Sequence, residues 1–170
     1  MTIQKRQIFY SFHFNKDVMR VQQIRNMGVI EGNEPVSPNT WETARKTPGG
    51  IEKWINENMR YKSCIVVLVG SETSTRPWVK YEIEKAWNDG KPLVGVFIHN
   101  LKCPRTSNLP PYYGKCAKGA NPFAQFTLKN GNPLTRYVQC HDPNPVDAYN
   151  DIYDNLADWI EAAIAARQNS

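Results

Sequence analysis

The sequence predicts an α/β fold: a central, mostly parallel sheet of about five strands packed between two layers of helices. Three observations lead there. Short β-prone runs alternate with stretches of helical period along most of the chain. Two of those runs, around 64–69 and 92–98, are apolar almost throughout, as strands covered on both faces are. The helical stretches carry one apolar face each, as helices lying on a sheet must. At 170 residues the chain is long enough for one domain with a real core and too short for two ordinary ones, so residues 1–170 are expected to form a single domain.

Ile8-Phe9-Tyr10-Ser11-Phe12 reads as the first strand. Asn15 or Asp17 would cap the helix that follows, in which Val18, Val21 and Ile24 recur at helical spacing as far as Asn26. Gly28 to Gly32 reads as a short strand, and residues 33–40, with two prolines, as a loop. A helix is expected over 51–59, after Pro48-Gly49-Gly50. Cys64 to Val69 is a buried strand closed by Gly70. The next helix runs from about Arg76 to Asp89 and stops at Gly90. Residues 92–98 form another buried strand. Residues 100–132, rich in Pro, Gly, Lys and Asn, read as a long functional loop. Tyr137 to Cys140 reads as an edge strand. Asn144 and Pro145 look like the cap and first residue of a closing helix at about 145–168. Its stripe of Tyr149, Ile152/Tyr153, Leu156, Trp159/Ile160 and Ala163/Ile164 is expected to pack on the core.

Composition narrows the function classes. Hydrophobic residues make up 41% and charged residues 22%, as in ordinary globular proteins. The net charge of +5 is scattered, with no basic arm, so nucleic acid is not the expected partner; a mildly basic surface suits an anionic small ligand. No apolar stretch approaches the about 18 residues that cross a bilayer, and no export signal stands at the N-terminus, which places the protein in the cytoplasm. The four cysteines, at 64, 103, 116 and 140, form no paired motif and are expected as free thiols; their spacing with His141 fits no common zinc site, so no metal is expected. The glycine fingerprints of dinucleotide folds and P-loops, the zinc-protease helix and the hydrolase nucleophile elbow are all absent.

Two segments remain. Ser11-Phe12-His13-Phe14-Asn15-Lys16-Asp17 would sit at the carboxyl end of the first strand, where helix amides favour phosphate oxygens, and Arg20 and Arg25 would add positive charge. An ordinary capped helix with solvated arginines explains the same residues. In Gly70 to Glu84, winding at about 100° per residue puts Val79, Ile83, Ala86 and Trp87 on one face, Glu82 at its edge and Trp78 one turn earlier on the same side. Glu84 points to solvent. A half-buried Glu82 beside an indole is a candidate functional carboxylate, although most helix glutamates are merely solvated.

These residues resemble the Toll/interleukin-1 receptor (TIR) pattern. Gly70-Ser71-Glu72-Thr73, followed by Arg76-Pro77-Trp78-Val79-Lys80-Tyr81-Glu82-Ile83, is similar to the element in which a Trp precedes the family's catalytic Glu by four. The likeness is closer to the bacterial TIR-like, flavodoxin-related proteins of the Thoeris anti-phage system. It includes Arg20 with Gln23-Ile24-Arg25-Asn26, Trp41-Glu42, Gly95 to His99, and Gly119 with Asn121-Pro122-Phe123, and covers about residues 7–125. It implies a flavodoxin-like/TIR-like three-layer sandwich and an enzyme that consumes NAD as substrate, with no separate cofactor. The implied product is a cyclic or modified ADP-ribose signal that reaches a separate effector after a phage-derived trigger. Carried over by motif, Glu82 is the catalytic carboxylate, and Phe12, His13, Arg20, Trp78 and Asn121 are substrate-binding candidates. Two features depart from the pattern: no TIR BB-loop is recognisable after Asn26, and the 100–132 loop carries Cys103 and Cys116. A non-catalytic TIR-like interaction or nucleotide-sensing module is the main alternative. A flavin-binding flavodoxin is a third reading, against which the missing Ser/Thr-rich phosphate loop counts.

Overall fold

The computed structural model describes residues 6–28, 46, 48–102 and 115–169. Among them run β1 (Ile8–Ser11), α1 (Phe14–Asn26), α2 (Gly50–Met59), β2 (Cys64–Val69), α3 (Pro77–Asn88), β3 (Leu93–Phe97), β4 (Cys140–His141) and α4 (Ala148–Gln168). The four strands form one parallel sheet in the order β1-β2-β3-β4. Ser11 pairs with Val67, and Val67 with Gly95, so the carboxyl ends of β1, β2 and β3 reach one common edge.

Side chains alternate across a strand, so each strand here feeds two cores. Ile8, Tyr10, Val66, Leu68, Val94 and Val96 pack beneath α1 and α4 with Val21, Ile24, Ile152, Leu156 and Ile160. Phe9, Ile65, Val67, Val69, Leu93 and Phe97 pack on the other face with Ile55 and Met59 of α2 and Val79, Ile83 and Ala86 of α3. Every residue of β2 is buried. That is why its sequence is apolar without alternation. Each fully buried aliphatic side chain contributes about 1.5–3 kcal/mol, so the two cores together hold the three layers.

The three-layer α/β expectation holds, with four described strands. Residues 29–32 of the expected strand at 28–32 lie outside the described residues, as do Trp41-Glu42 and Cys103. Several local boundaries move. Helix α1 starts before Asp17 and Asn15, with His13 at its cap position and no side-chain cap. Asp17 is instead buried in the first turn. The edge strand is not 137–140: Pro133 opens a 3-10 turn at Leu134–Arg136, Val138 is buried in the second core, and the strand paired to β3 is Cys140–His141, with the Gln139 carbonyl accepting from the Gly95 N–H at 2.9 Å. Asn144 closes a turn, its side-chain oxygen accepting from the Val146 N–H at 2.9 Å, and α4 begins at Ala148 with Asp147 as its cap. The buried line of α4 is Ala148, Ile152, Leu156 and Ile160, spaced by four, which leaves Tyr149 and Tyr153 exposed beside it and not in the core. Within the expected 100–132 loop, Pro122–Gln125 form a 3-10 turn and Thr127 bridges Pro133.

Candidate functional site at the carboxyl edge of the sheet

Helix α3 starts with Pro77 at its first turn and lays Val79, Ile83 and Ala86 on the sheet. Glu82 rides on that face and is 6% exposed, deeper than its half-buried expectation, while Glu84 is exposed as expected. Ser11 follows Phe9 by two on β1, so it points into the same core as Glu82. Burial raises the Glu82 carboxyl to about 8, and the Ser11 hydroxyl, near enough to favour the charged form, opposes that in part. Ser11 Oγ and Glu82 Oε2 are both buried, and neither completes a well-formed hydrogen bond with the protein. Two adjacent buried polar atoms left incomplete are costly, so they mark a place held for something other than folding.

The remaining predicted residues divide around the sheet edge. Trp78 is half-buried one turn before Glu82, packed against the second core and edge-on to Tyr81 at 5.6 Å. His13 is 7% exposed at the end of β1, with its Nε2 3.9 Å from Oε2 of Glu72 in the turn after β2. Asn121 is half-buried and its side-chain oxygen accepts from the Phe123 N–H at 2.9 Å, so that oxygen caps the 3-10 turn. Its segment reaches the end of β2: a Cβ on Gly119 would overlap the Gly70 carbonyl oxygen, and Gln125 donates to the Ser74 carbonyl at 2.9 Å.

Phe12 and Arg20 make other contacts. Phe12 packs on the first core, across the sheet. Arg20 is 1% exposed, donating from Nε to the Leu101 carbonyl at 2.9 Å and pairing with Asp17 at 3.5 Å. The Asp17 carboxylate lies so close to Gly70 that a Cβ there would overlap it. This pair therefore ties α1 to the ends of β2 and β3. An open cleft of about 300 Å³ at this edge is lined by Gln23, Leu101, Lys115 and Tyr149, and not by Glu82.

The sequence reading named Ser11 and Asp17 only within the segment 11–17, and His99 only within 95–99, and gave none of the three a role of its own. A serine inside an otherwise apolar strand was the available signal for the first. His99 is buried just past β3, edge-on to Phe97 at 5.9 Å, with its Nε2 3.1 Å from the Asn100 amide nitrogen. Burial lowers its pKa first; Asp142 opposes this, and Lys118, Lys115 and Arg20 add to the lowering. Among the described residues, no three His, Cys, Asp or Glu side chains converge as metal ligands would, and Cys64, Cys116 and Cys140 are free thiols. No described helix is long and apolar enough to cross a membrane.

What this geometry offers is one buried carboxylate of raised pKa at the carboxyl edge of a parallel sheet, where such folds take ligands. The chain matches the family described as Thoeris protein ThsB, TIR-like domain, over residues 9–103. It is 34% identical over 126 residues to ThsB1 of Bacillus cereus (strain MSX-D12), a candidate cyclic ADP-D-ribose synthase. That likeness covers 69% of this chain and 61% of the relative, so the chain spans less than two thirds of the relative's length.

Proposed function

The chain belongs to the family of the Thoeris protein ThsB, TIR-like domain, and from that membership we propose that it cleaves NAD in the cytoplasm to make a cyclic or modified ADP-ribose signal. The signal passes to a separate effector in anti-phage defence, after a phage-derived trigger. The observation that carries the reading is Glu82: a carboxyl buried to 6% exposure, raised to about 8, one turn past Trp78 at the carboxyl edge of the sheet.

The reaction asks for one carboxylate. Nicotinamide is a cationic leaving group that departs neutral, so no general acid is needed to protonate it. The barrier lies in the positive charge that develops on the ribose. An ionised Glu82 stabilises that charge and accepts hydrogen bonds from ribose hydroxyls, in a site where little water competes. The second carboxylate of ordinary glycosidases has no task here. Burial holds Glu82 protonated near neutral pH; a cationic nicotinamide riboside beside it favours release of that proton, so substrate and active charge state arrive together. Trp78, His13 and Asn121 are the residues proposed to contact the substrate around it. NAD is substrate here, and the chemistry requires no bound cofactor.

Mass spectrometry of small molecules from phage-infected cells carrying the protein tests the reading. An ADP-ribose-derived product that is absent from uninfected cells is expected. An intact NAD pool with no such product would instead support a non-catalytic interaction or nucleotide-sensing module.

A further inference from the structure

We propose that Ser11 is a positioning residue for Glu82: its hydroxyl donates to the ionised carboxylate and holds it in one orientation. The inference rests on the catalytic reading of Glu82 and assigns it a partner. Three observations lead to it. Ser11 is 0% exposed, the last residue of β1, in a strand whose other residues, Ile8, Phe9 and Tyr10, are apolar or aromatic core. Its side chain projects to the face that α3 covers, the face on which Glu82 lies. Its oxygen and Glu82 Oε2 are both sealed from solvent with their hydrogen bonds incomplete. Alanine would fill the same space without leaving a polar group unsatisfied, so packing alone gives no reason for a hydroxyl there.

The chemistry gives the hydroxyl a conditional task. A protonated carboxyl and a serine each have a donor and acceptors, and neither depends on the other. Once Glu82 loses its proton, the carboxylate only accepts, and a donor at its side is worth more than between neutral groups. Among the described residues, the groups acting on Glu82 are its burial, which raises its pKa, and the Ser11 hydroxyl, which opposes that; His13 at the end of β1 and Glu72 in the turn after β2 face each other at 3.9 Å. On α3 itself Lys80 and Glu84 are exposed and Lys85 pairs with Asp89 at 2.8 Å.

The test is a carboxyl-carbon NMR titration of full-length protein labelled at glutamate, with the Glu82 signal assigned by its absence in Glu82→Gln. Ser11→Ala should move the Glu82 midpoint up by about one pH unit, the loss expected for a hydrogen bond to a charged group. Melting at pH 5, where Glu82 is protonated, should barely change. Ser11→Cys, which keeps a weaker donor, should shift the midpoint less and serves if the alanine variant folds poorly. An unmoved midpoint in both variants overturns the proposal. Turnover separates the two readings: wild type that never cleaves NAD while Ser11→Ala still shifts the midpoint would sink the catalytic reading and leave the pairing of Ser11 with Glu82.

Discussion

Replacing Glu82 by Gln is expected to stabilise the protein at neutral pH and to do so less as the pH falls. The carboxyl titrates near 4.5 in an unfolded chain and at about 8 in the folded one. A raised folded pKa contributes stability that is fully present below pH 4.5 and is lost progressively as the pH rises to about 8. At pH 7 the folded chain retains a proton that the unfolded chain releases. About two and a half pH units, at about 1.4 kcal/mol each, put that cost near 3 kcal/mol. Gln has the same shape and no charge to suppress, so it escapes the cost. For a domain of 170 residues, each kcal/mol moves the melting temperature by about 2–4 °C. Glu82→Gln should therefore melt about 6–12 °C above wild type at pH 7, with the gap closing by pH 5. Circular-dichroism melts of both proteins at pH 5, 6, 7 and 8 read this directly. A gap that does not change with pH, or a Gln variant less stable at pH 7 than wild type, would refute the burial argument on which the site rests.

Three further outcomes follow from the packing. Trp78→Ala should lower the melting temperature, by no more than the about 3–5 kcal/mol that a fully buried aromatic loses, because Trp78 is half-buried against the second core; an unchanged melt would mean that it packs on nothing. Gly70→Ala should cost about 1–3 kcal/mol, since the new methyl would overlap the Asp17 carboxylate that pairs with Arg20; wild-type stability would refute that close approach. Thiol titration of denatured, unreduced protein should return four groups, with Cys64, Cys116 and Cys140 free in the structure; two or none would overturn a chain without disulfides.

The elements legible in the sequence were those whose burial is uniform. Cys64–Val69 and Leu93–Phe97 are covered on both faces, and their unbroken apolar runs say so. The phasing of α3 was legible too, because Val79, Ile83 and Ala86 meet one flat surface. The register of short polar ends was not. His13 takes the cap position of α1 without a side-chain cap, and the Asp17–Arg20 pair is buried because Asp17 lies against Gly70 and Arg20 donates to the Leu101 carbonyl, long-range contacts that no local pattern encodes. Asn144-Pro145 looks like a helix start, but Asn144, four residues before the first residue of α4, uses its side chain to close a turn. Tyr149 and Tyr153 fit a helical stripe by period, yet the spacing-by-four line of Ala148, Ile152, Leu156 and Ile160 already fills the contact. At the site, Glu82 and Trp78 were recognisable from their motif, whereas the use of Arg20 and Asn121 in holding the fold depends on Leu101 and Phe123, contacts visible only in three dimensions.

The central claim is that the Glu82 carboxylate performs the NAD chemistry. The direct measurement is NAD cleavage by wild type, Glu82→Gln and Glu84→Gln, each with infected-cell lysate as activator and each shown to be folded. Glu84 lies two residues on and is exposed, so it controls for loss of a negative charge on the same helix. Glu82→Gln should lose at least about 10²–10³ in rate, the scale on which removing one transition-state-stabilising group is felt, while Glu84→Gln keeps wild-type activity. Equal product from Glu82→Gln and wild type would contradict the account.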